Sequence, residues 1–118
     1  MESPILTVTG HDPAGDEAVT ILAASGEIDR DNAKDLRTAA DQAIHRGRVR
    51  LVLDLSAVTF CDSSGLSVVV DLHRLTQSHD GWLRLAAVPP LLRTMLEVTH
   101  LDRIFAIHTT VDGATREP

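Results

Sequence analysis

The feature that most constrains this chain is the segment Val49 to Leu55, a run of leucine and valine interrupted at Arg50 and Asp54. A strand that alternates apolar and polar residues has one wet face. A strand apolar throughout is covered on both faces, the pattern of a central strand in a parallel or mixed sheet. Such a strand needs crossover helices, and the flanking sequence supplies them. Upstream, Ala33, Leu36, Ala39, Ala40, Ala43 and Ile44 fall on one face of a 3.6-residue period, with Asp31 or Asn32 able to cap the start and Gly47 placed to stop it. Downstream, a second helix runs from Ser63 to about Gln77 with a wide apolar face.

The remaining segments complete an alternating pattern. Residues 5–9 and 18–25 are β-prone runs separated by a cluster of turn formers from Gly10 to Asp16, which reads as a hairpin. Asp80-Gly81 makes a turn, Trp82 to Val88 a strand, Pro89-Pro90 the opening of a third helix, and Ile104 to Ile107 a last short strand. The order β-β-α-β-α-β-α-β describes an α/β domain with a mixed sheet and helices packed on it. Residues 1–110 are expected to form a single domain, and the small, polar stretch 111–118 a flexible C-terminal tail.

Composition narrows the function. At 118 residues and 43% hydrophobic the chain can bury one aliphatic core, and with one Trp, two Phe and no Tyr it has little aromatic surface on which to stack bases. Its net charge of -6 opposes binding to phosphate backbones, so no direct nucleic-acid partner is expected. Cys61 is the only cysteine, which rules out an internal disulfide and a multi-cysteine metal site. No signal-peptide pattern opens the chain and no apolar run is long enough to span a bilayer, so a cytoplasmic protein without a membrane partner is expected.

Residue chemistry gives no catalytic machinery. His11, His45, His73, His79, His100 and His108 lack H-x-x-x-H or H-E-x-x-H spacing, there is no G-x-S-x-G elbow, and the glycines form neither phosphate-binding loop. The expectation is therefore a protein that is not an enzyme, with no metal and no cofactor. Cys61 after Phe60 reads as a small buried hydrophobe. Arg46, Arg48 and Arg50 read as a solvated turn, with anion binding the alternative. What stands out is Asp62-Ser63-Ser64-Gly65-Leu66, where the chain leaves the central strand and enters a helix. Asp62 or Ser63 can cap that helix, and Gly65 in its first turn leaves the backbone open to close approach. On residue chemistry alone this is a helix cap.

The longer run from Leu51 to Leu66 closely resembles the signature of the STAS domain, and specifically of the bacterial anti-sigma factor antagonists, in which a strand bearing leucine and aspartate leads to Asp-Ser-Ser/Thr-Gly-Leu/Ile. Gly26-Glu27-Ile28-Asp29 resembles the family's second landmark, Gly-Glu-Leu/Ile-Asp just before the first helix, and the match extends over roughly Ile5 to Ile107. The resemblance implies a mixed four- to five-stranded sheet with helices on one side. It also implies partner switching: the unphosphorylated protein binds an anti-sigma factor that is also a serine kinase, that kinase phosphorylates the serine directly after the Asp, here Ser63, and a metal-dependent serine phosphatase removes the mark. Asp29, Asp62, Ser63, Ser64, Gly65 and Ser67 are the partner-facing residues it implies, with Ser64 a recognition residue and not the acceptor. The alternative within the same fold is an unphosphorylated accessory or scaffold subunit of a transport or sensory complex. Two departures are visible: the chain ends soon after Ile107, where many relatives carry a final helix, and Cys61 occupies a place where Met is common.

Overall fold

The computed structural model describes residues 7–11 and 19–116. Within them lie β1 (Thr7–His11), β2 (Val19–Ile28), α1 (Ala33–His45), β3 (Arg50–Cys61), α2 (Ser63–Ser78), β4 (Trp82–Ala86), α3 (Pro90–Val98), a 3-10 turn (Leu101–Arg103), β5 (Ala106–His108) and α4 (Val111–Arg116). Most of the proposed hairpin turn, residues 12–16, falls outside the described residues.

The five strands form one sheet in the order β1-β2-β3-β4-β5, with β1 antiparallel to β2 and every later pair parallel. Each parallel step moves one strand in the same direction through a helix, and crossovers of one hand then deliver all three helices to the same face. On that face Leu51, Leu53 and Leu55 meet Leu36 and Ala40 of α1, Leu72 of α2 and Leu96 of α3, all essentially without solvent exposure. As the apolar run predicts, β3 is central and buried on both faces, since Val52 on the other side is equally buried.

Two details differ from the sequence-based expectation. The tail after residue 110 is not a fraying end in this structure: Val111–Arg116 is a short helix lying on the opposite face of the sheet, where Ala114 packs with Val19, Ile21, Val52 and Ala86. Helices therefore sit on both sides, three against one. Arg84 fastens α4 from β4, with its Nη1 donating to the Ala114 carbonyl at 2.9 Å and its guanidinium 3.7 Å from the centre of the Trp82 ring. The final helix is thus present but short.

The second difference concerns the length of β3, which continues through Ser56–Cys61, beyond the apolar run that ends at Leu55. Pairing with β2 runs Ala23↔Asp54, Ser25↔Ala57, Gly26↔Val58, Glu27↔Phe60 and Ile28↔Cys61, so five steps on β2 span seven on β3. Two extra residues are accommodated as bulges, and they replace the two-residue alternation by a three-residue one, with Leu55, Val58 and Cys61 buried and the pairs between them exposed. Gly26 beside this irregularity has φ +106°, a conformation that favours glycine. β4 pairs only with Arg50–Asp54, so the β2–β3 ribbon projects beyond it.

Candidate functional site: the carboxyl end of β2 and β3

The two landmarks meet at the tip of this ribbon. Ile28 and Cys61 are register partners, and the Asp62 amide donates to the Ile28 carbonyl at 3.1 Å, which holds the Asp29 turn beside the start of α2.

Asp62 is the cap of α2. Its backbone is extended (φ -97°, ψ -173°), and its Oδ1 accepts from the amides of Ser64 at 2.8 Å and Gly65 at 3.3 Å. A carboxylate over the positive end of a 16-residue helix is also favoured by the helix dipole. With Asp62 in that place, Ser63 is the first helical residue and its side chain is free of the capping duty. Ser63 and Ser67 are exposed, Ser64 is half-buried, and Gly65 is buried. Ser63, Ser67 and Asp71 follow at four-residue spacing along the outer face of α2, and Asp71 lies 3.8 Å from Arg37 of α1.

Gly65 is required by packing. A Cβ there would collide with Cys61 Sγ and stand 2.8 Å from Ile28 Cγ2, so only a hydrogen lets α2 rest on the paired strand ends. What it contributes to the site through this packing is placement of the helix. Cys61 itself is buried, and burial, reinforced by the Asp62 charge, pushes its thiol up to about 11. At neutral pH it is a protonated packing group.

Asp29 is also engaged within its own turn. Its Oδ1 accepts from the amides of Asp31 at 2.9 Å and Asn32 at 3.1 Å, while Asn32 Oδ1 accepts from the Asp29 amide at 2.8 Å and Asn32 Nδ2 donates to the Glu27 carbonyl at 2.8 Å. Asn32 stands at the N-cap position of α1 but makes no side-chain capping bond. The turn is therefore a closed knot of side-chain to backbone bonds that keeps Asp29 half-buried next to Asp62.

The other candidates fall elsewhere. Arg46 and Arg48 line a cavity of about 280 Å³ between α1 and the β1–β2 pair, with Thr20 and Gln42, whereas Arg50 is exposed at the opposite end of β3 from Ser63. Among the described residues no three His, Cys, Asp or Glu side chains are grouped to hold a metal ion, and no helix is long and apolar enough to cross a membrane. The side chain of His11 lies outside the described residues. One surface feature escaped sequence reasoning: Phe60 is exposed beside the site, where the second β3 bulge shifts the register before Phe60 and Cys61.

Comparison with known proteins agrees with this architecture. The family model described as "Mlab, STAS domain" matches residues 11–108. The anti-sigma F factor antagonist of Paenibacillus polymyxa is 31% identical over 100 residues, covering 84% of this chain and 86% of that protein. The anti-sigma-F factor antagonist RsfB of Mycobacterium tuberculosis is 31% identical over 110 residues, covering 92% and 86%. A crystal structure of an anti-sigma factor antagonist from Mycobacterium paratuberculosis superposes with a TM-score of 0.81 at 30% identity, covering 93% of this chain and 91% of that one. With the cap, the glycine contact and the Asp29 knot all where the two sequence landmarks converge, the chain belongs to the STAS-domain family, among the anti-sigma factor antagonists, which are regulators and not enzymes.

Proposed function

We propose that the unphosphorylated chain binds an anti-sigma factor through the surface formed by Asp29, Asp62, Ser63, Ser64 and Ser67, and that phosphorylation of Ser63 by that factor's serine kinase activity releases it, a serine phosphatase reversing the mark. The observation that carries this reading is the division of labour at the start of α2. Asp62 occupies the helix amides and Gly65 fixes the helix against the sheet, which leaves the Ser63 hydroxyl exposed at a rigid position.

Electrostatics support the direction of the switch. Phosphate adds about -1.5 to -2 charges. Within the free protein a helix start tolerates an anion, but here Asp62 already satisfies two of the first-turn amides, so the phosphate is held outward in an acidic neighbourhood with Asp29 alongside. A partner surface matched to a neutral hydroxyl must then desolvate and oppose that charge, at a cost of several kcal/mol on the scale of buried unmatched charges. The change alters docking far more than folding.

Incubation with the cognate kinase and ATP followed by mass spectrometry tests the assignment. Phosphate on Ser63, absent from Ser63→Ala, is the expected result. Phosphate on Ser64 alone would overturn it.

A further inference from the structure

Among the described residues, the large apolar side chains exposed to solvent are Phe60 (44%), Leu91 (65%), Val98 (73%) and Ile104 (50%). Single exposed apolar groups are ordinary on protein surfaces. Three of these are not single. Phe60 and Leu91 line one shallow groove together with Leu92 and Met95, and Leu91, Met95 and Val98 stand at i, i+4 and i+7 on α3, hence on one stripe.

The outer faces of the other large helices are polar: Lys34, Asp35 and Asp41 on α1, and Ser63, Ser67 and Asp71 on α2. Exposure of Phe60 is built into the backbone. Of the two phenylalanines, Phe105 is 5% exposed and belongs to the core, whereas the second β3 bulge inserts Thr59 between Val58 and Phe60 and turns the Phe60 ring outward. The groove also has Cys61 in its wall, so the apolar stripe begins two residues from Ser63 and continues along α3.

We propose that Phe60, Leu91, Met95 and Val98 form an apolar ridge on which the anti-sigma factor docks, extending the Ser63 surface along α3. This inference rests on the reading of Ser63 given above and adds to it the chemistry of the partner: an apolar strip about 10 Å long, the length of seven helical steps, adjoining a polar patch that meets the serine. Cys61 in the groove wall stands two residues before Ser63, and that proximity to the serine favours this occupant over a second copy of the chain. The two parts have separate tasks. The ridge supplies contact that salt and phosphorylation scarcely touch, and the serine end supplies the switch.

The test compares the parent, Leu91→Glu/Val98→Glu, the milder Leu91→Ala/Val98→Ala, and Ser63→Asp for affinity to the cognate anti-sigma factor by calorimetry, with sedimentation of each protein alone. The glutamate pair is expected to bind about tenfold or more weakly and the alanine pair to a lesser degree, on the scale of interface truncations. Both should keep the parental melting midpoint and monomeric sedimentation. If both pairs bind as tightly as the parent while Ser63→Asp is weakened, the ridge is refuted and the Ser63 reading stands. Failure of the parent to bind would refute that reading and the ridge with it. A parental dimer split by the glutamate pair would assign the ridge to a second copy and overturn the proposal.

Discussion

Gly65→Ala adds one methyl group at the place where α2 rests on the ends of β2 and β3, and the structure sets the sign of its effect. In a helix, alanine is favoured over glycine by up to about 1 kcal/mol. Against this, the new Cβ overlaps Cys61 Sγ and lies 2.8 Å from Ile28 Cγ2 and 3.4 Å from Ile28 Cβ. Ile28 is 1% exposed and Cys61 7%, and they are paired across two strands, so neither neighbour can yield without moving the ribbon. Overpacking of this kind costs about 1–3 kcal/mol, and with rigid neighbours on two sides the upper end applies. The net expectation is a loss of about 2 kcal/mol, which for a domain of this size is roughly 8 °C in Tm. Urea titration at constant m-value measures it. Cys61→Ala removes one of the two obstacles, so Gly65→Ala should cost at least about 1 kcal/mol less in that background, well outside the additivity of independent sites. A Gly65→Ala protein as stable as the parent, or strictly additive single and double variants, would refute the packing account of this glycine.

Two further outcomes follow from the same structure. The Cys61 thiol is raised by burial, and secondarily by Asp62, from 9.0 to about 11, so above pH 9 the unfolded chain loses a proton that the folded chain retains. Stability should be full below pH 9 and fall as pH rises towards 11, by an order of 2 kcal/mol in all. With no tyrosine and Lys34 the one lysine, little else titrates in that window, and Cys61→Ala should flatten the decline; equal slopes in chemical denaturation across pH 8–11 would contradict it. Truncation after Thr110 removes Ala114 and its hydrogen bond to Arg84 Nη1, and should lower stability by about 2 kcal/mol through the lost burial and the lost bond, whereas a fraying tail would leave the melting curve unchanged.

Much of this was legible in the sequence for identifiable reasons. The run from Val49 to Leu55 gave the central strand because a doubly covered strand has no polar phase. Likewise, the three-helix face followed from 3.6-residue spacing, and Gly47, at φ +80°, ends α1 as its position suggests. The alternation rule failed at Ser56–Cys61, where two bulges change the period and a strand takes on the polarity of a loop. It failed for the same reason at Phe60, an aromatic residue that sequence reading assigns to no surface. Helix α4 was hidden because six small and polar residues carry no periodic signal, and their anchor, Arg84, lies 30 residues away. At the site, the cap at Asp62 and the need for Gly65 were readable. The closure of Asp29 by its own turn was not, since a carboxylate beside a glycine-containing landmark looks the same whether or not it accepts from nearby amides.

The central claim is that a charge on Ser63 separates this protein from its anti-sigma factor without disturbing the fold. The most direct measurement is the dissociation constant of the anti-sigma factor for the unmodified protein and for the same protein phosphorylated on Ser63, with melting midpoints recorded for both. A loss of several kcal/mol corresponds to a weakening of roughly a hundredfold or more, with the midpoints nearly unchanged. Equal dissociation constants for the two forms would contradict the account.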